Sequence, residues 1–157
     1  MTMQDTDIHN AQANWAQGLI AIGKAYTQGE DYAAIANQHV IALYAYNEPN
    51  THVHFKPTRS QQVPFRPTLE SALSYFVGNN PDIPEDGGFA LAPWIKIEFN
   101  NEGISHLSDC SIAMGSYTFT NAEQVSAEVY YTFVYRQMAD GQVKIITHHS
   151  SMPYVAT

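Results

Sequence analysis

Apolar residues at Ile8, Ala11, Trp15, Leu19, Ile22 and Tyr26 recur every three or four positions. That period predicts one amphipathic helix over residues 6–28, with Asp5, Thr6 or Asp7 as its cap. Gly18 and Gly23 lie inside it. Each costs roughly 1 kcal/mol against alanine in a helix, so their presence implies that a neighbouring element packs close. Gly29 and Glu30 break the pattern, and residues 31–38 predict a second, short helix. The run from Val40 to Tyr46 has the length and composition of a strand, although a helix fits the same run. Pro49, Pro57, Pro64 and Pro67 punctuate the next stretch, leaving His52 to Thr58 as an edge or isolated strand. Thr68 with Glu70 starts a helix from Leu69 to Val77, which Gly78 stops. Residues 79–93, rich in Pro, Gly and Asp, predict a long surface loop suited to covering a site.

From Trp94 the period changes to two. Ile95, Ile97 and Phe99 alternate with Lys96 and Glu98, Asn100 to Gly103 predicts a turn, and Ile104 to Leu107 a short strand. Longer strands follow over 111–120 and 125–135, and Asp140-Gly141 makes the hairpin turn into a last strand ending at Ser151. Helices first and a strand meander afterwards give an α+β fold: a strongly curved antiparallel sheet wrapped around N-terminal helices, forming a cone with a blind pocket. The expected organisation is a single domain over residues 1–157, with residues 1–5 disordered.

Composition narrows the partners. The chain has 157 residues, 45% hydrophobic, with a formal charge of −8 and scattered Lys and Arg. That leaves no basic footprint for nucleic acid or an anionic membrane. Cys110 is the only cysteine, so an intrachain disulfide and a cysteine-based zinc site are both excluded. The first residues lack the basic and apolar regions of a signal peptide, and no run approaches a membrane span. The expected location is cytoplasmic.

Candidate chemistry concentrates where the last strand ends. Strict alternation puts Val143, Ile145, Thr147, His149 and Ser151 on one face and Lys144, Ile146, His148 and Ser150 on the other. Either way an imidazole and a hydroxyl two residues apart project together. Thr58 and Tyr75 are further polar groups that chain order allows near the same pocket. His52 and His54, two apart on an extended segment, point to one side and with a terminal histidine would offer three nitrogens to zinc.

The segments Phe55-Lys-Pro-Thr58, Phe65-Arg66, residues 72–78, Pro84 to Trp94, Phe99-Asn-Asn, Ala113-Met-Gly-x-Tyr117, Tyr131-Thr-Phe133 and His148-His-Ser-Ser-Met-Pro-Tyr154, in that order, resemble the iota-class carbonic anhydrase family. That family belongs to the nuclear-transport-factor-2-like superfamily, close to the association domain of calcium/calmodulin-dependent kinase II. The resemblance implies reversible hydration of carbon dioxide, bicarbonate held in a small pocket, and no obligatory metal, with zinc or manganese as the alternative. It implies Thr58, Tyr75 and a terminal His-x-Ser as site residues. His149 with Ser151 is preferred as the catalytic pair, because the superfamily pattern aligns there without a gap; His148 with Ser150 is the other reading, with both expected to touch substrate. Hydroxyls would hold water and stabilise the developing bicarbonate, and His149 would shuttle the proton.

Two other classes share such a scaffold. A ketosteroid-isomerase-like or polyketide-cyclase-like enzyme needs a carboxylate base in an apolar pocket, and the strand acids Glu98 and Glu128 alternate onto the solvent side. A non-catalytic association or ligand-binding module needs only an apolar sheet face. Residues 125–135 carry two such rows, Val129, Tyr131, Phe133 and Tyr135 on one side and Tyr130, Thr132 and Val134 on the other. One row would line the pocket and the other a homodimer interface.

Overall fold

The computed structural model describes residues 2–157. Its elements are α1 (Asp5–Thr27), α2 (Tyr32–Leu43), β1 (His54–Lys56), α3 (Leu69–Val77), β2 (Trp94–His106), β3 (Ser111–Asn121), β4 (Ser126–Gln137) and β5 (Val143–Ser151). The strands form one open sheet in the order β1-β5-β4-β3-β2. β2 to β5 are antiparallel to their neighbours, while β1 joins β5 in parallel. The expected curved α+β fold is present, with a mixed rather than wholly antiparallel sheet. No helix among the described residues is long and apolar enough to cross a membrane.

α1 lies across the concave face of the sheet. Ile8, Trp15, Leu19 and Ile22 are buried on its inner side, and Trp15 touches Phe99, Tyr117, Phe119, Phe133 and His148 across four strands. Gly18 carries no Cβ because the ring of His39 on α2 occupies that space, and Gly23 meets Ala90 and Pro93 in the same way. Gln4 and Asp7 cap the helix reciprocally, and Met3 is buried in the core. Met3, Gln4 and Asp5 are therefore held by the core and the helix start, where disorder was expected; Met1 lies outside the described residues.

Two element boundaries differ from the sequence reading. The 40–46 run is not a strand: α2 continues to Leu43 and a single 3₁₀ turn follows at Ala45–Asn47. Ala36, Val40 and Tyr44 are all buried, a four-residue spacing that belongs to a helix face. Tyr44 itself is extended and bridges Ile145 in parallel, continuing the line of β1 along β5. Nor do residues 100–103 turn. β2 runs through them with Glu102 inserted as a bulge opposite Asn101↔Gly115 and Gly103↔Met114. Gly115 sits against this bulge, where a Cβ would strike the Asn100 carbonyl. The bulge bends β2 around α1, and Asn101 exchanges hydrogen bonds with Gln12 of that helix at 2.8 and 2.9 Å.

Candidate active site

The site residues meet at the concave end of β5, from the segment after β1, from α3 and from β5 itself. His148 and Ser150 point inward and are almost fully buried, at 2% and 1% exposure. His149 is exposed and Ser151 half-buried on the outer face. The preference for His149 and Ser151 as the inward pair is thus corrected, and the cause is a bulge. Tyr135 faces Ile145 and Val134 faces Thr147, so Ile146 is an extra residue in β5. Ile145 is inward in the core, and the insertion reverses the parity of everything after it.

His148 lies between the rings of Phe55 and Phe133, with centroids 4.8 and 4.0 Å away and planes within 10° and 19°. Its Nδ1 is 2.8 Å from the Tyr44 hydroxyl and its Nε2 3.0 Å from that of Tyr117. Burial holds its pKa well below the ordinary histidine range, and the neighbouring His149 adds to this. Tyr117 is also 2.5 Å from Ser150 Oγ, which is 2.6 Å from Thr58 Oγ1. Behind Tyr44, the Trp15 indole N–H donates to its hydroxyl at 3.0 Å.

Thr58 is held by what precedes it. β1 pairs with β5 from His54↔Thr147 to Lys56↔His149, Lys56 Nζ donates to the Ser150 carbonyl at 3.1 Å, and Pro57 then turns Thr58 over the strand end. Tyr75, buried on α3, completes the hydroxyl cluster. The Arg59 amide donates weakly to its oxygen at 3.4 Å. Burial pushes its phenol up to about 12, against smaller opposing effects of that amide and the Thr58 hydroxyl. Tyr117 and Tyr44 are raised further by full burial. All three phenols stay protonated at neutral pH and act as hydrogen-bonding groups.

The loop expected to cover the site is fixed in place. Asp86 receives both guanidinium nitrogens of the buried Arg66 at 2.7 and 2.8 Å, and the Ser74 hydroxyl at 2.5 Å. Glu85 accepts from the amides of Gln61 and Val63 at 2.7 and 2.8 Å. The cleft between these segments, of about 290 Å³, is lined by Arg59, Tyr75, Phe89 and the 85–88 loop. Tyr75 is therefore part of both this cleft and the hydroxyl cluster. Arg59 sits over the Phe89 ring at 5.6 Å.

The structure gathers Thr58, Tyr75, His148 and Ser150 and leaves His149 and Ser151 outside. Sequence reasoning missed Tyr117, Tyr44 and Trp15 as parts of the network. Tyr117 stood in a matched motif without being singled out, and Tyr44 was hidden in the run taken for a strand. The rings of His52 and His54 lie 4.6 Å apart at the sheet edge, tilted by 52° to each other. A cleft there of about 400 Å³ also includes Lys56, Phe65 and His149. Among the described residues, no group of three or more His, Cys, Asp or Glu is placed to hold a metal ion. Glu98 and Glu128 are exposed, as alternation predicted.

The sequence profile of the family described as metal-independent carbonic anhydrase matches residues 6–152. The chain belongs to this family. Its activity is the reversible hydration of carbon dioxide, and it requires no metal. A metal-independent carbonic anhydrase of Nostoc sp. strain PCC 7120 is 34% identical over 151 residues, 96% of this chain and 74% of the relative. The crystal structure of a cyanobacterial iota-carbonic anhydrase complexed with bicarbonate superposes with a TM-score of 0.94 at 33% identity, covering 99% of this chain and 95% of that one. A putative calcium/calmodulin-dependent kinase II association domain from Xanthomonas campestris shares the fold at a TM-score of 0.65 and 24% identity, over 98% of this chain and 91% of that one.

Proposed function

We propose that the hydration of carbon dioxide takes place at the hydroxyl cluster of Thr58, Tyr75, Tyr117 and Ser150, with His148 fixed behind it. The observation that carries this is the 2.6 Å contact of Thr58 with Ser150, backed at 2.5 Å by Tyr117, beside a fourth buried hydroxyl on Tyr75. Carbon dioxide and water approach through the cleft beside Tyr75. Thr58 and Tyr75 hold the water by accepting and donating hydrogen bonds. Its oxygen forms the bond to carbon, and one C=O electron pair moves onto the oxygen. Hydroxyl hydrogens aimed at that oxygen stabilise the charge as it develops, as in an oxyanion hole. The proton leaves to solvent along the cleft. No carboxylate stands in the cluster to act as an isomerase base, since Asp86 is committed to Arg66 and Ser74.

The deciding experiment is stopped-flow hydration of carbon dioxide on chelator-treated, metal-free protein. Turnover that Ser150→Ala or Tyr75→Phe removes supports this site. Turnover untouched by both changes overturns it.

Two finer readings accompany this. We infer a homodimer through the outer face of the sheet. The support is the pair of large apolar residues Met114 and Tyr130, 51% and 45% exposed on adjacent strands, beside a groove of about 410 Å³ that includes His149 and Ser151. We also infer a cytoplasmic location, supported by a lone, half-buried Cys110 that needs no oxidising compartment.

A further inference from the structure

Trp15, Tyr44, His148, Tyr117, Ser150 and Thr58 stand in single file, joined by five contacts of 3.0, 2.8, 3.0, 2.5 and 2.6 Å. The direction of each hydrogen bond follows from what each group is able to do. An indole N–H only donates, so the Tyr44 oxygen accepts from Trp15. Tyr44 is fully buried and its other polar neighbour is His148 Nδ1, so its hydrogen is satisfied only by donation to that nitrogen. Nδ1 is then bare, and the ring hydrogen sits on Nε2, which donates to Tyr117. Tyr117 in turn donates to Ser150, and Ser150 to Thr58. Reversing any link leaves a buried hydroxyl hydrogen facing another hydrogen, with no acceptor. The surplus hydrogen is therefore at the far end, on Thr58.

We propose that Trp15 is a positioning residue that sets the direction of this chain, holding His148 as the neutral Nε2–H tautomer and leaving the Thr58 hydroxyl hydrogen for the substrate oxygen. The inference rests on placing the reaction at Thr58 and Ser150. It gives His148 a role other than proton shuttle. Both ring nitrogens are engaged, Phe55 and Phe133 cover both faces, and a second proton on Nδ1 would strand the Tyr44 hydrogen. The chain ends at an indole N–H that has nowhere to pass a proton. It is a one-way donor relay pointing into the site, each link polarising the next, and the proton lost by the attacking water goes to solvent on the Tyr75 side.

The test is nitrogen NMR on protein labelled in the histidine rings. His148 is expected to show a bare Nδ1 and a protonated Nε2, unchanged from about pH 6 to about pH 8.5, across the range where a free histidine titrates. Trp15→Phe keeps an aromatic ring in the core and removes the fixed donor together with the volume of the second indole ring. It is expected to mix the two His148 tautomers and lower kcat roughly tenfold, the scale of one lost hydrogen bond, with KM nearly unchanged. An Nδ1–H or doubly protonated ring in the wild type overturns the proposal. So does Trp15→Phe with wild-type ring signals and wild-type kcat. Should that variant fail to fold, the wild-type tautomer alone decides. The NMR result does not depend on turnover, so an inactive Ser150→Ala with the wrong tautomer refutes the relay and leaves the site standing.

Discussion

Ser150 and His149 are adjacent in the chain and opposite in fate, which makes them the sharpest pair for mutation. Ser150 Oγ lies within hydrogen-bonding distance of both Tyr117 and Thr58, so Ser150→Ala breaks the proposed relay and leaves the Thr58 hydroxyl, its donor to the substrate oxygen, without the group that orients it. A loss of about 10²–10³ in kcat is expected, the range for one oxyanion donor. His149→Ala, on the outer face, is expected to stay within about twofold, as an exposed group making no contact with the reacting atoms. Stopped-flow assays of the two measure this directly; the reverse order would restore the uninterrupted alternation read from the sequence. Thr58 and the His-x-Ser pattern were legible as chemistry because polar residues ended otherwise apolar segments, whereas Tyr75 was singled out by the family resemblance. Which His-x-Ser faced inward was not legible, since nothing in Ile145-Ile146-Thr147 announces a bulge. The neighbours of His148 were also hidden, because a buried tyrosine or tryptophan looks like core in any alternation pattern.

At the scale of elements, α1, α3, β3 and β4 were plain from period, and Thr68 caps α3 as its sequence predicts; the cap of α1 is Gln4, with Asp7 only its reciprocal partner, not Asp5, Thr6 or Asp7. The errors came from short ambiguous runs: the apolar end of α2 resembles a strand, and the Asn-Asn-Glu-Gly bulge of β2 resembles a turn. The 79–93 segment shows what composition leaves out. Its Pro, Gly and Asp content reads as a loose loop, yet Asp86 and Arg66 are both fully buried and paired in two places. Asp86→Asn leaves the Arg66 charge buried without its counter-ion, which costs about 3–5 kcal/mol for a pair of this kind. A large fall in Tm is expected, with turnover declining in parallel because Tyr75 loses its neighbouring wall. Thermal melts and stopped-flow rates on one preparation check this. A melt within a degree or two of wild type would show the clasp to be dispensable.

Taken as a whole, the molecule buries the rings of His39, His148 and several tyrosines in the neutral state and, apart from the Arg66–Asp86 pair and Lys144, keeps its charges toward solvent. The proposed dimer would use the outer face of the sheet. Met114 and Tyr130 are exposed there on adjacent strands, so Tyr130→Glu is expected to yield monomers by sedimentation equilibrium with the fold retained. Dimers persisting in that variant would place the interface elsewhere. The buried rings fix the dependence of stability on pH. Burial lowers the pKa of His148 well below its ordinary value and that of His39, packed against Gly18, to about 4. The unfolded chain regains histidines of pKa about 6.5, so between the two values it binds more protons than the folded one. Stability is thus complete above about pH 6.5 and falls with acid, by up to about 2.7 kcal/mol per pH unit while both histidines contribute. For His39 the loss levels off below about pH 4; for His148 it continues lower. The phenols of Tyr44, Tyr75 and Tyr117 act in the opposite direction, with pKa values raised by burial. Their contribution is complete below about pH 10, where a free tyrosine ionises, and is lost above it. Denaturant unfolding should therefore show a plateau from about pH 7 to about pH 9.5, with a steep acid limb that His39→Gln makes shallower by about one proton. An acid limb of unchanged slope in that variant would mean that His39 is already free to take up a proton in the folded protein.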